Sequence, residues 1–520
     1  MKVRGAIAGL VSVIVVLLSG STCISSSKPI QTTLEKSNYT QLTSSEEILQ
    51  FLDTLSQRNP GNTEMSILGA SAKGKPLGAL LISQKPGHFN QKLSSPSRLT
   101  VMLVGSQHGS EPSGAEALLL LSRDILEGAL RHYLSVADFI VIPDSNPDGR
   151  TANRRVNGNG VNLSTNYDLL TEPECRALVD ALYRWQPEVI LDIHESAVLK
   201  KQSLGREGFL TDVEAQFEAA NNPNVDSGIR TFTYERFLPE LVAAVSAKGL
   251  PCQRYIGEIT SVNQVITHAG LSLRNLRNRA GMAGCFSFLL ENKLDPSTST
   301  YSTPRNIKER VRKQSLCLRE FIACIAAHEK KVLFQTAAAR SGKIPGGEQE
   351  PLFLSFFYQS DPRQPTITLP LRRRDTGERI FHTFPYRGLI SSASPLRLPK
   401  AYIIRSHHEL MRAFLTHQHV EYSVAAESVT VPVIIHNLEH YKGLGDEKRF
   451  AQIPPPALPE QADRYSMQPG DIVVPIDQPN QKLAVLLLEP RSMSSVFLAP
   501  PFSRLIETKG DLFICRVPYE

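Results

Sequence analysis

The chain has 520 residues, 41% of them hydrophobic and 21% charged, with a formal net charge of +6. That length predicts two or three domains and supplies enough apolar residues for a sizeable core. A charge this mild, with short basic clusters such as Arg372-Arg-Arg374 and Lys330-Lys331 and no interleaved aromatics, speaks against a nucleic-acid partner and reads as solvated faces.

Lys2 and Arg4 precede an apolar run at 6–18 and a small-residue stretch, Ser19 to Cys23. This order predicts a secretory signal peptide over 1–24, too short in its apolar part for a membrane span, and a protein exported to the periplasm or beyond the cell. Cys23 would offer a lipid anchor. Gly20-Ser-Thr before it is a poor match to the apolar-x-small-Cys arrangement, so anchoring is not the favoured reading. Six further cysteines show no Cys-x-x-Cys spacing, and Cys317 and Cys324 are too far apart to bridge on a regular helix.

Residues 25–43 read as a polar linker. Ser44 followed by Glu47 is a capping-box pattern opening a helix to about 56, and 65–69 and 77–83 read as strands. The run 101–104 is then a buried parallel strand ending at Gly105, a turn carries His108-Gly-Ser-Glu111-Pro112, and 115–126 is a helix. An imidazole and a carboxylate three residues apart can hold one small cation. The plainer reading is an exposed turn with a carboxylate at a helix start.

A third apolar strand, 139–143, leads to Asn146-Pro-Asp-Gly149, Arg155-Val-Asn157 and Gly160-Val-Asn-Leu-Ser-Thr-Asn166. A helix over 172–184, capped by Thr171, precedes a strand at 189–193 that closes on His194-Glu195. Strands that end in histidine meet where open α/β sheets bind ligands, outside their carboxyl ends. Residues 196–230 read as a long loop over that place and 235–248 as a helix. His268 reads as structural, and Arg274, Arg277 and Arg279 form a cluster before an apolar strand that ends on Glu291. One long helix is expected over 305–338. Residues 348–520 read as a second, β-rich domain, with strand candidates at 353–358, 367–370, 429–435, 471–475 and 482–489 and a helix at 407–418. His407-His-Glu409 lacks the second histidine of a His-Glu-x-x-His site and reads as a polar helix face.

Taken in order, His108-Gly-Ser-Glu111, Asn146-Pro-Asp-Gly149, Arg155-Val-Asn157 with Gly160-Val-Asn-Leu, strand-His194 and strand-Glu291 resemble the carboxypeptidase A-like zinc peptidases. The resemblance is to the bacterial, exported branch with a C-terminal β-rich domain, and it covers about 40–335. It implies an α/β fold with a mixed, mostly parallel central sheet flanked by helices over 44–338. It also implies that His108, Glu111 and His194 hold one Zn2+ ion, that Glu291 is the general base, and that Arg155 faces the substrate carbonyl oxygen. Where that family has an Asn-Arg pair to grip a terminal carboxylate, this chain has Ser164-Thr165, without charge or a bidentate fork. Arg274 and Arg277 are the local candidates to replace the missing charge. Asn162 stands at the family's Asp behind the first histidine, and Tyr255 is a loose match to its capping tyrosine.

The expected function is therefore an exported zinc peptidase that cuts an amide bond near a peptide terminus, with cell-wall (murein) peptides as a substrate suggested by export. No nucleic acid and no membrane span after leader removal are expected. Two alternatives keep the fold: a zinc-dependent deacylase of N-acyl amino acids, and a binding module that has lost catalysis.

Overall fold

The computed structural model describes residues 29–85, 89, 98–196, 204–294, 306–341, 352–436, 460–505 and 512–519. The expected leader with Cys23 and residues 342–347 of the stretch expected between the two domains lie outside the described residues. Gln31–Glu520 form one compact unit, and no described helix is long and apolar enough to cross a membrane.

The sequence runs through β1 (Thr63–Ala70), β2 (Pro76–Ile82), β3 (Leu99–Gly105), β4 (Ala137–Ile142), β5 (Val189–Ser196), β6 (Phe209–Thr211), β7 (Ala215–Ala219), β8 (Cys252–Arg254) and β9 (Phe286–Lys293). All but β6 join one sheet in the order β1-β2-β4-β3-β5-β9-β7-β8. The centre, β4-β3-β5-β9, is parallel, and β3 and β4 are buried along their whole length. Continuous apolar runs such as Leu-Thr-Val-Met-Leu-Val are what a strand covered on both faces requires. The expected α/β fold with a mixed, mostly parallel sheet is what the chain forms.

Ser44 opens the helix Ser45–Arg58 through the expected box: its side chain accepts from the Glu47 amide while Glu47 accepts from its backbone. Ahead of it the expected linker carries a short helix, Thr33–Lys36, and Thr43 docks both its amide and its hydroxyl on buried Glu116. The helix over 172–184 is found as Pro173–Trp185, with Glu172 rather than Thr171 at the cap position.

Three expectations are corrected. Residues 196–230 are not one long loop, because β7 pairs antiparallel with β9 inside the main sheet and Ser227–Phe232 is helical. The helix over 305–338 is two helices, Ile307–Ala327 and Glu329–Arg340, meeting at His328. Residues 482–489 are a helix, Gln481–Leu488, and not a strand. Every side chain from Leu483 to Leu488 is buried, so the run lacks the polar positions that would have betrayed its period.

Beyond 352 lie β10 (Leu352–Gln359), β11 (Thr366–Arg373), β12 (Arg379–Pro385), β13 (Leu389–Leu396), β14 (Ala401–Ile404), β15 (Ser423–Val424), β16 (Thr430–His436), β17 (Glu460–Ser466), β18 (Ile472–Pro475) and β19 (Ile514–Val517). Six of these form an antiparallel sheet, β15-β18-β14-β19-β16-β17. The expected helix is present at His408–His417. This C-terminal third is held to the rest by buried polar contacts: Asn224 exchanges both amide-type bonds with Phe353, and Arg279 donates to the Gln418 carbonyl. β11, through β12 one strand of a hairpin, also takes β6 as its other neighbour.

Candidate active site

Four strand ends and one turn build the site. Past Gly105 the chain turns at Ser106, whose φ is +56°, and Glu111 closes the turn by donating its amide to the His108 carbonyl. Gly109 lets this turn pack directly against Asn146-Pro-Asp-Gly149. A Cβ on Gly109 would lie 1.9 Å from the Gly149 carbonyl carbon, so only glycine lets the two turns nest. Asn146 fastens them, donating to the Gln107 carbonyl at 2.9 Å and accepting from the Gly149 amide.

Inside this frame His108, Glu111 and His194 converge, all buried. His108 Nδ1 is 2.8 Å from Glu111 Oε1, His194 Nδ1 is 3.0 Å from Glu111 Oε2, and the two Nδ1 atoms are 3.0 Å apart. Each ring is held from behind through Nε2. For His108 the partners are Asn162 Oδ1 at 3.0 Å and Ser164 Oγ at 2.8 Å; for His194 it is Asp192 Oδ1 at 3.1 Å. When each Nε2–H is turned to its acceptor, both Nδ1 lone pairs and a carboxylate point at one spot, which only a proton or a cation satisfies. Tetrahedral ligands at about 2.1 Å stand about 3.4 Å apart, so a few tenths of an ångström of opening fits these donors to zinc.

Charge behaves accordingly. Burial works against a charged His194, but Asp192 and Glu111 outweigh it and hold the imidazole well above its usual range. Burial likewise opposes ionised Glu111, and the two histidines outweigh it. His108 is pushed down by burial. A proton shared among these groups is what a metal ion would displace.

β5 and β9 run parallel with His194 directly opposite Glu291, so the carboxylate sits across from the cradle. Ser196 donates to Glu291 Oε2 at 2.7 Å. Burial pushes the Glu291 carboxyl up to about 7, with His194 opposing and Glu111 adding to the shift. Arg155 Nη1 lies 3.0 Å from Glu111 Oε1. Glu291, Arg155 and Tyr255 line one cleft of about 160 Å³, and burial together with the Glu291 charge pushes the Tyr255 phenol up.

The other residues singled out from sequence are placed as follows. Ser164 is turned to His108 and Asn162, and Thr165 bonds the Asn162 carbonyl at an exposed position. Arg274 donates to the Thr165 carbonyl and sits 3.9 Å from Asp168. Arg277 is buried against Asn221 and the Gly270 carbonyl. Neither arginine lines the cleft. His268 bonds the Tyr255 carbonyl at 2.7 Å and the Tyr386 hydroxyl at 2.6 Å, which ties the cleft loop to the end of β12.

Sequence reading missed Asp192, Ser196, Glu195 with its buried partner Arg310, and Lys293. A signal was present for the first two. Asp192, His194 and Ser196 alternate along β5 and therefore share a face, so finding the histidine finds its neighbours. It also missed the cleft's far wall, where Leu204, Ile256 and Ile259 pack against Leu369 and Leu371 of β11 and Phe384 of β12.

A turn after β3 and the end of β5 bring His108, Glu111 and His194 to one point with a buried carboxylate opposite, a donor set that suits zinc. The zinc carboxypeptidase model (Peptidase_M14) matches residues 48–199. Probable carboxypeptidase 2 of Trichophyton verrucosum is 30% identical over 216 residues, 39% of this chain and 40% of that protein. Carboxypeptidase 2 of Trichophyton rubrum is 30% identical over 210 residues, 38% of each. The chain thus spans about two fifths of the length of these curated relatives. Carboxypeptidase A of Helicoverpa armigera covers 56% of this chain and 75% of its own at 16% identity and a TM-score of 0.42.

Proposed function

We propose that this protein is a zinc-dependent carboxypeptidase that hydrolyses an amide bond near the carboxyl end of a peptide. The observation that carries the reading is the meeting of two Nδ1 lone pairs and the Glu111 carboxylate at one point, with Glu291 facing it across β5 and β9. His108, Glu111 and His194 would hold the ion, which when bound polarises a carbonyl oxygen and brings the pKa of a water toward 7.

The chain's own groups do the rest. Glu291, held by Ser196, takes a proton from the attacking water and returns it to the leaving nitrogen; a carboxyl raised toward neutral pH suits both transfers. Arg155 lines the cleft with part of its guanidinium accessible and stabilises the negative charge that develops on the carbonyl oxygen. The Tyr255 phenol, kept protonated, donates a hydrogen bond into the same cleft.

The apolar run at 6–18 behind Lys2 and Arg4 supports export, and cell-wall peptides are then the substrate we propose. The activity is tested with N-acylated dipeptides and murein fragments. Zinc-loaded protein is expected to release free C-terminal amino acids, and release only from N-acyl amino acids would replace the peptidase with a deacylase.

A further inference from the structure

We propose that Glu240, Cys324 and His328 form a second metal site, for a sulfur-seeking divalent cation such as zinc, in the helical layer behind β9. None of the three lines the cleft, so the site stands apart from the peptidase reading.

Local structure brings these residues together. Cys324 lies in the last turn of the helix Ile307–Ala327, and His328 caps that helix four residues on, the spacing at which two side chains share one helix face. A thiol and an imidazole so placed repeat the i, i+4 arrangement by which the two histidines of a His-Glu-x-x-His helix hold zinc. Glu240 comes from the neighbouring helix, Leu238–Ala247. One ligand atom from each residue lies within 4.8 Å of the others, and His328 Nε2 is 2.7 Å from Glu240 Oε2.

The imidazole is oriented before any ion arrives. Ser227–Phe232 and Leu238–Ala247 are joined by a π-helical turn, Thr233–Phe237, and such a turn brings residues five apart to one side. Phe232 and Phe237 are that pair. Both rings meet His328, with centroids 5.2 and 6.0 Å away, and both rest in turn on β9, through Phe286 at 6.0 Å and Phe288 at 4.9 Å. π turns are rare and concentrate at functional sites; this one builds the apolar shell that fixes a ligand's direction.

Donor chemistry selects the ion. A thiolate and a carboxylate balance a divalent cation while the imidazole stays neutral, and a sulfur, nitrogen and oxygen set disfavours calcium and magnesium, which take oxygen. Zinc ligands stand about 3.4–3.6 Å apart, so closing on an ion asks about 1 Å of side chains that are free to give it. Cys324 is a free, half-buried thiol, and the Glu240 side chain is 40% exposed. Arg236 also bonds Glu240, from a side chain 66% exposed, where an ion pair is worth little. The way in is an open depression of about 630 Å³ lined by His328, Phe232 and Glu235. Among the described residues one other acid and histidine group stands outside the cradle, His436 with Glu460 and Glu489, but there Arg491 and Arg516 already bond both carboxylates. The cradle's three ligands are all buried, whereas this carboxylate is half-exposed, so the Cys324 site is the weaker. Natively purified protein therefore carries its ion in the cradle and takes up the second when metal is added.

A thiolate-to-cadmium charge-transfer band distinguishes this site from the cradle, which holds no sulfur. Full-length protein carrying its native zinc would be titrated with Cd2+ and followed in the ultraviolet. The band is expected to grow to one equivalent and to vanish in Cys324→Ser. In His328→Ala and in Glu240→Gln it should need at least about tenfold more Cd2+, since losing a ligand costs no less than losing a partner behind one. No band in the parent, a band that survives Cys324→Ser, or a half-saturation point unmoved by either of the other two substitutions would overturn the assignment. Should His328→Ala fail to fold, Glu240→Gln, at a half-exposed position, decides alone.

Discussion

The cation cradle and the cleft's far wall are held by opposite means. The cradle is polar: His108 and Glu111 share one turn, Asp192 stands two residues before His194, and Asn162 reaches His108 from the loop after β4. The wall is apolar and long-range, with Leu204, Ile256 and Ile259 resting on a hairpin more than a hundred residues further along the chain. The cradle is complete within the first sheet and its loops, whereas a wall supplied by β11 and β12 ties substrate fit to the integrity of the C-terminal third.

The difference can be broken from either side. The largest effect belongs to Glu291→Gln, which should lower turnover by about 10²- to 10⁴-fold without loss of zinc; unchanged turnover would remove Glu291 as the base. In the native protein the acid limb of the rate profile should fall at or below about 7, where burial and Glu111, opposed by His194, place the carboxyl. Activity rises with pH there because the base must be ionised, and a bound cation moves the limb further down.

Next comes Glu489, deep in the C-terminal sheet, with Tyr402 at 2.9 Å and Arg516 and His436 at 3.2 and 3.3 Å. Burial opposes its charge, but these partners outweigh it and hold the carboxyl down to about 2. A depressed carboxyl stabilises the fold fully above its unfolded value near 4.5, and that contribution is lost as pH falls toward 2. Glu489→Gln should cost about 3–5 kcal/mol in denaturant unfolding, flatten that acid dependence and leave zinc content intact. An unfolding midpoint equal to the native one would show that the network does not hold this C-terminal third together.

Smaller effects separate the regions further. Asn162→Ala removes an acceptor behind His108 and should weaken zinc about 10- to 100-fold in competition titrations; an unaltered affinity would leave Ser164 as the sufficient partner. Tyr386→Phe deletes the hydroxyl on His268, whose other nitrogen holds the Tyr255 carbonyl. It should raise KM about two- to tenfold with zinc affinity constant. A fall in zinc affinity instead would mean that cradle and wall are not separable.

Most of the cradle could be read from sequence because each member sits in its own short motif. Apolar runs ending in His or Glu mark strand ends, and Ser44 with Glu47 writes its own cap. The wall could not, since β6 is three residues whose partner in β11 lies about 160 residues away, and nothing near 209–211 names it. Residues 481–488 misled for a third reason. A helix buried on all sides shows neither the alternation of a strand nor a polar stripe. Arg274 and Arg277 drew attention as charges in a row, yet their directions are set by Asp168 and Asn221, which no spacing rule connects to them.

The central claim is that two imidazoles and one carboxylate, contributed by a turn after β3 and the end of β5, hold a single zinc ion opposite Glu291. Zinc K-edge absorption on the natively purified protein reads that shell directly. One ion per chain with two imidazole nitrogens and a carboxylate oxygen at about 2.0–2.2 Å is the predicted result. A sulfur-containing shell, or a shell that survives His194→Ala unchanged, would contradict it.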